Sequence, residues 1–394
     1  MRQKIMSTPP RETTPDTHKT PLKYDGPSPN GSLKRSYSSP NLVQATKLKL
    51  QDKHPGITGL KNLGNSCYIN SIIQCLSNTT RLARYFIQDS YTNDLYRKNK
   101  KSDTLVVEEI AQVIKALWCG RFRSISPRDL KVTIGRYQPE LDNYEQQDSH
   151  EFLTFLLHWM HNDLKTTAQL EIDRFISNAE NEWDRAMHGE TSIISQLFFS
   201  QLRSTISCLT CRSSSTTYEN FNTLTLSVPD SLRCTLDDRM KKYLSRQRVS
   251  GWRCQNCEAP RAATKKIDFI KLAPIIVVHL NRFGASDGWI QKNNTAVNFP
   301  LVSLDLRSYV VHEAGTNTTT ANSYQQRYNL YAVVNHYGTM EGGHYTSYCN
   351  SASQNEWYKY DDRTVKGVPP TEVKSETASA YLLFYTAVPT FSYM

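Results

Sequence analysis

An α+β fold is predicted for this 394-residue chain. Apolar residues recur at helical spacing from about residue 67 to residue 164, short β-like runs take over from residue 195, and neither half alternates helix with strand as a doubly wound sheet would. With 38% hydrophobic and 21% charged residues, the composition suits one large domain or two medium ones.

The elements follow in chain order. Residues 1–55 hold eight of the seventeen prolines, many Ser and Thr, and almost no periodic apolar pattern, so they read as a disordered basic arm. Within it, "LKRSYSSP" fits a basophilic kinase site through Leu33, Arg35 and Ser38. The stretch Arg35–Pro40 also has the form of a phospho-dependent 14-3-3 docking motif at Ser38. The folded part is placed at 56–394. After Cys67, the residues Tyr68, Ile69, Ile72, Ile73 and Leu76 fall at helical spacing, and "TLVVEEIAQVIKALW" (104–118) repeats it. Ser126-Pro127 reads as a cap with proline at the first helical position. "DSHEFLTFLLHWMHNDL" (148–164) opens on an Asp148-to-Glu151 capping box. Later, "FNTLTLSV", "APIIVVHLNRF", "NLYAVVNHY", "HYTSYC" and "AYLLFY" read as strands.

Charge and cysteine usage narrow the classes. The net charge is +10, but the first 55 residues carry ten Lys/Arg against four Asp/Glu. That +6 leaves only +4 on the remainder, which has no basic stripe with interleaved aromatics, so nucleic-acid binding is not expected. No apolar run reaches the roughly 18 residues of a membrane span. The start of the chain also lacks the apolar core of a secretory signal. A cytoplasmic or nuclear address is expected, where thiols stay reduced. Nine cysteines there read as metal ligands, a catalytic thiol and core residues; Cys75, Cys119, Cys234 and Cys349 are assigned to buried packing.

Cys67 stands between the polar turn "GLKNLGNS" and an apolar helix. A thiol attacks as its thiolate, and a helix N-terminus and a neighbouring imidazole both favour that form. Gly64 lets the backbone turn sharply before it. The imidazole is sought in "HYGTMEGGHYTSYCN" (336–350). There His344 follows Gly342-Gly343, where missing side chains let a thin substrate backbone pass, and a β-like run would hold the ring rigidly. Asp361 and Asp362 in "EWYKYDDRTV" offer a carboxylate to orient it. Separately, Cys208-x-x-Cys211 and Cys254-x-x-Cys257 make two knuckles that complete a closed four-thiolate site, read as structural zinc, with 212–253 as a looped-out hairpin region.

Six ordered blocks, "GLKNLGNSCYINSIIQCL", "YEQQDSHEFLTFLL", "CLTC…CQNC", "PIIVVHLNRF", "YNLYAVVNHYGTMEGGHYTSYC" and "WYKYDDRTV", resemble the ubiquitin-specific proteases over essentially all of 56–390. The spacing is similar to the compact members. The resemblance implies a papain-like cysteine protease core with a thumb (about 56–190), zinc-bearing fingers (about 195–275) and a palm (about 275–394) gripping ubiquitin. It implies Cys67 as nucleophile, His344 as general base, Asp361 as its orienter, Asp362 as a helper, and Asn62 as an amide donor to the oxyanion. It also implies Asp148 as a contact to the basic, glycine-ended ubiquitin tail, within an acidic stretch that includes Glu140, Asp142, Glu145 and Glu151. Asn281 stands where the family has lysine, and His150 where glutamine is common. Three other readings stay open: the same chemistry on a ubiquitin-like modifier, a non-catalytic ubiquitin-binding scaffold, and a zinc-ribbon module for nucleic acid.

Overall fold

The run after Cys67 forms helix α1 (Cys67–Ser77), all of whose residues are buried. A helix enclosed on every side must find partners for its polar positions. Gln74 donates to the Thr58 carbonyl at 2.9 Å, and Asn70 to the Asp362 carboxylate at 2.8 Å. Around α1 lie α2 (Thr80–Ile87), α3 (Val106–Trp118), α4 (Arg128–Tyr137) and α5 (Ser149–Leu164). The N-terminus of α3 has no side-chain cap of its own; Asp163 of α5 accepts from the Val107 N–H at 3.1 Å. Burial pushes that carboxyl up to about 6.

The computed structural model describes residues 46–47, 55–95, 105–167, 179–286, 289–311, 324–339 and 342–389. The Ser38 motif and most of the 1–55 arm lie outside them. Thr46–Lys47 corrects the arm's boundary: it pairs antiparallel with Phe122–Ile125, whose other edge is taken by Gly59–Leu60. An open strand edge has unpaired backbone groups that a passing extended segment satisfies. Two helix starts also differ from expectation. Pro127 occupies the N-cap of α4, one position earlier than expected, where a missing N–H is equally harmless. Asp148 caps α5 through His150 N at 2.6 Å rather than through a capping box with Glu151, because its second carboxylate oxygen is bound by the Tyr381 hydroxyl.

The strands build two main sheets. We number them β1 (Ser200–Cys208), β2 (Ser214–Phe221), β3 (Leu224–Ser227), β4 (Gln247–Cys254), β5 (Ala259–Lys271), β6 (Ile275–Asn281), β7 (Tyr324–Gly338), β8 (Gly343–Ser351), β9 (Glu356–Asp361), β10 (Thr364–Val368) and β11 (Ala380–Pro389). The smaller sheet has the order β4-β5-β1-β2 and is antiparallel throughout. The larger runs β10-β9-β8-β7-β11-β6-β3, with Leu304–Asp305 added along β7; only β6 and β3 are parallel.

Both faces of the larger sheet are covered. Ile275 and Val277 of β6 enter the core shared with the helices, whereas Ile276, Val278 and Leu280 enter a second core on the opposite face. In β11, Leu382 and Phe384 divide from Leu383 and Tyr385 in the same way. Burial on both sides explains why these strands read as continuous apolar runs. Each fully buried aliphatic side chain contributes about 1.5–3 kcal/mol.

The 212–253 segment is no looped-out hairpin. After β2 the chain leaves the small sheet, lays β3 parallel on β6, passes through helix α6 (Leu236–Leu244) and returns as β4. Part of the 195–275 stretch therefore belongs to the larger sheet, where Leu224 and Leu226 are buried. Among the described residues no helix is long and apolar enough to cross a membrane.

Candidate active site

The loop before α1 is shaped by two glycines. A Cβ on Gly59 would stand 2.4 Å from the Arg363 carbonyl oxygen, because the Asp362–Arg363 turn docks there and Leu60 N–H donates to the Asp362 carbonyl at 2.9 Å. Gly64 has φ +94°, a left-handed conformation that side chains disfavour. Asn62 braces the same loop: its Oδ1 accepts from the N–H of Gly64 at 3.0 Å and of Ser66 at 3.2 Å. The chain then enters α1 with Cys67 as its first residue, only 4% exposed.

His344 is the second residue of β8 and pairs with Tyr337 of β7. Cys67 neighbours its side chain, and its Nε2 donates to Asp361 Oδ1 at 2.7 Å from the last position of β9. These neighbours push His344 up to about 9: Cys67 is the largest cause, partial burial opposes it, and Asp361 adds to it. The imidazolium is thus the favoured form beside the sulfur. The arrangement can hold a proton between sulfur and ring and deliver it to a leaving group.

Asp362 takes a place different from the one expected. Its carboxylate lies near the ring, but its bonds go to Asn62 Nδ2 at 2.9 Å and Asn70 Nδ2 at 2.8 Å. Its φ of +47° turns the chain directly after β9 and aims the carboxylate at the loop before α1. It therefore steadies the Asn62 amide, not the imidazole.

Gly343 also differs. Its N–H donates to Gln146 Oε1 at 2.6 Å, and its carbonyl accepts from Gln146 Nε2 at 2.7 Å. A Cβ there would stand 2.2 Å from His336 Nε2, so its missing side chain serves internal packing, whereas Gly342 faces open space. Asp148 spends both carboxylate oxygens on His150 N–H and the Tyr381 hydroxyl. Glu140, Asp142, Glu145 and Glu151 are exposed, as expected for an acidic surface. His150 stacks on His279 at 4.0 Å, and burial lowers both rings, His279 to about 3. Asn281 is exposed, and the neighbouring Arg282 is 1% exposed with its guanidinium on the carbonyls of Ala380, Asn293, Thr295 and Thr377.

Gln146 and Asn70 were not singled out from sequence. Asn70 had a visible signal, a polar residue three positions after Cys67 on an apolar helix. Gln146 had none that separates it from Gln147, whose amide turns back to the Glu140 carbonyl at 3.1 Å.

The four knuckle cysteines come together at the ends of β1 and β4, with every sulfur within 4.8 Å of the others. Each pair is followed by a left-handed residue, Arg212 (φ +60°) or Glu258 (φ +51°), so the two knuckles turn alike. Four converging thiols from two matched turns fit a tetrahedral ion of zinc's preferences. Cys75, Cys234 and Cys349 are buried as expected. Cys119 is exposed, because it follows the last residue of α3, where its thiol donates to the Ala116 carbonyl at 3.1 Å.

Fold and site together are of the kind cysteine hydrolases use: a thiol at a helix start, facing a strand-borne imidazole braced by a carboxylate. The family model described as ubiquitin carboxyl-terminal hydrolase matches residues 58–385, and the chain belongs to that family. It is 38% identical over 350 residues to ubiquitin carboxyl-terminal hydrolase 2 of Homo sapiens, covering 84% of this chain and 55% of that one. Against ubiquitin carboxyl-terminal hydrolase 5 of Saccharomyces cerevisiae the identity is 32% over 367 residues, covering 84% and 45%. The chain thus spans about half the length of these curated relatives. A chain in the solved SAGA Ubp8/Sgf11/Sus1/Sgf73 DUB module bound to ubiquitin aldehyde shares the fold with TM-score 0.68 and 23% identity, covering 86% of this chain and 71% of that one.

Proposed function

We propose that the chain hydrolyses the peptide or isopeptide bond following the C-terminal glycine of ubiquitin. The observation that carries this reading is the Cys67–His344–Asp361 cluster, with its 2.7 Å imidazole–carboxylate bond, in a member of the ubiquitin carboxyl-terminal hydrolase family. Solved relatives that hold ubiquitin or ubiquitin aldehyde support the choice of substrate.

The Cys67 thiolate attacks the glycine carbonyl carbon, and the Asn62 amide donates to the oxyanion that forms. Collapse gives a thioester and expels the lysine amine, which takes its proton from His344. His344 then removes a proton from water as it attacks the thioester, releasing the carboxylate and the thiol. Asp361 keeps the ring in one orientation throughout. Asp148 and Gly343 would border the substrate tail. Cys208, Cys211, Cys254 and Cys257 would hold a structural zinc, which closes the tip of the small sheet. A reducing compartment, cytoplasm or nucleus, suits five functional thiols.

A ubiquitin probe with a C-terminal electrophile tests the reading. It is expected to label the chain once, at Cys67; full labelling of Cys67→Ala would defeat the assignment. Parallel probes built on ubiquitin-like modifiers decide the substrate.

A further inference from the structure

The short stretch Tyr144–Gln146 is bonded to both sides of the cluster. At one end, the Tyr144 carbonyl accepts from Asn65 Nδ2 at 2.7 Å, two residues before Cys67. The Tyr144 ring lies against Gly64, where a Cβ would meet it at 2.4 Å. At the other end, Gln146 grips Gly343, the residue before His344, by both its N–H and its carbonyl. We propose that this stretch is a strap that sets the spacing of Cys67 and His344, with Gln146 as a positioning residue.

Sheet topology gives the reason. Gly343 pairs with Gly338 of β7 along one edge of β8, while β9 joins the other edge only from Ser347 opposite Tyr360. The first residues of β8 therefore lack a strand neighbour on that side. The Gln146 amide supplies one donor and one acceptor there, in the manner of an adjoining strand. On its other side Gly343 meets the buried His336 ring, so this backbone is clamped between ring and amide.

The strap is itself held. Glu145 N–H donates to Asn143 Oδ1 at 3.0 Å, Gln147 Nε2 donates to the Glu140 carbonyl, and the Lys131 ammonium lies 4.5 Å from the Tyr144 ring centre. Two residues of extended chain span roughly 7 Å. Moving the backbone that carries the imidazole away from the loop that carries the sulfur thus requires breaking the Gln146 pair or the Asn65 bond.

The inference rests on the proposed hydrolase activity for its kinetic readout but not for its spectroscopic one. Gln146→Ala cuts one end and Asn65→Gly the other; glycine keeps the left-handed backbone of Asn65, φ +49°. In each variant kcat on a ubiquitin C-terminal amide substrate is expected to fall about ten- to a hundred-fold, with KM within about two-fold. NMR titration of carbon-13-labelled histidine is expected to show the His344 midpoint falling from about 9 toward 6.5, its ordinary value, as Cys67 draws away. The charged or titratable groups facing that ring are Cys67, Asp361, Asp362 and His336. An unmoved midpoint in both variants overturns the strap, whatever the rates or melting temperatures do. A wild-type chain inert toward the substrate sinks the proposed activity instead, and the titration still decides the strap.

Discussion

The Asp362 carboxylate accepts the Asn62 side-chain amide at 2.9 Å across 300 residues of sequence. The contact joins the turn after β9 to the loop before α1 and fixes which way the Asn62 amide points. Losing an oxyanion donor costs about 10²–10³ in kcat, so Asn62→Ala is expected to fall in that range. Asp362→Asn keeps the left-handed backbone but has one acceptor oxygen where Asn62 and Asn70 each use one, so it loses the charge and one of the two bonds, and a loss of about ten- to a hundred-fold is expected. Steady-state kinetics check both; an Asp362→Asn loss exceeding that of Asn62→Ala would contradict the indirect role.

The proton on His344 gives a pH prediction. Its ordinary value is 6.5 and the fold raises it to about 9. A raised imidazole stabilises the folded state fully below pH 6.5, and that contribution is lost as pH rises through about 9. The kcat/KM profile is expected to decline on the alkaline side near 9, where the imidazolium disappears. In Cys67→Ala the largest cause of the shift is gone, so the NMR midpoint of His344 is expected to move down. A midpoint that stays near 9 would show that Asp361 alone sets it.

Metal removal should act on the small sheet. Structural zinc contributes about 10–16 kcal/mol in zinc-finger peptides, and β1 and β4 end at the cysteine pairs. Chelation, or Cys208→Ser, is expected to lower the melting temperature by about 10 °C or more. Native mass spectrometry is expected to find one ion per chain before chelation and none after. A chain that binds no metal and melts unchanged would refute the assignment.

Asp163 makes a separate prediction about stability. Its carboxyl is raised to about 6 by burial yet accepts from the N-terminus of α3. A carboxyl raised on folding favours the folded state at low pH, and that contribution is lost as pH climbs from 3.8 through about 6. Asp163→Ala loses the cap and is expected to cost about 1–2 kcal/mol in urea unfolding. Asp163→Asn keeps an acceptor without a buried charge, so at pH 7 it is expected to cost nothing or to stabilise. Equal losses in both would show that the charge, and not the acceptor, supports α3.

Much of the site could be read in the chain because its parts are local. Cys67 begins α1 where the polar turn gives way to helical spacing, and each C-x-x-C pair closes within one turn. His344 and Asp361, seventeen residues apart, meet because both stand just beyond the Ser347–Tyr360 pair, at the same end of adjacent antiparallel strands. Cys119 misled because its buried reading rested on residue type alone, and it stands one residue past the helix, where periodicity assigns no face. Gln146 was indistinguishable from Gln147, since both are polar residues ahead of a cap and neither spacing nor composition says which one faces Gly343.

The chain by itself determined the α+β class, the start of the Cys67 helix and the paired knuckles, since each depends on residue type and short-range geometry. Tertiary structure alone decided that Asp362 serves Asn62, that β3 crosses into the larger sheet, and that Gln146 completes the edge of β8. Those bonds depend on which distant backbone groups are left unpaired after the sheets assemble, a quantity no local pattern records.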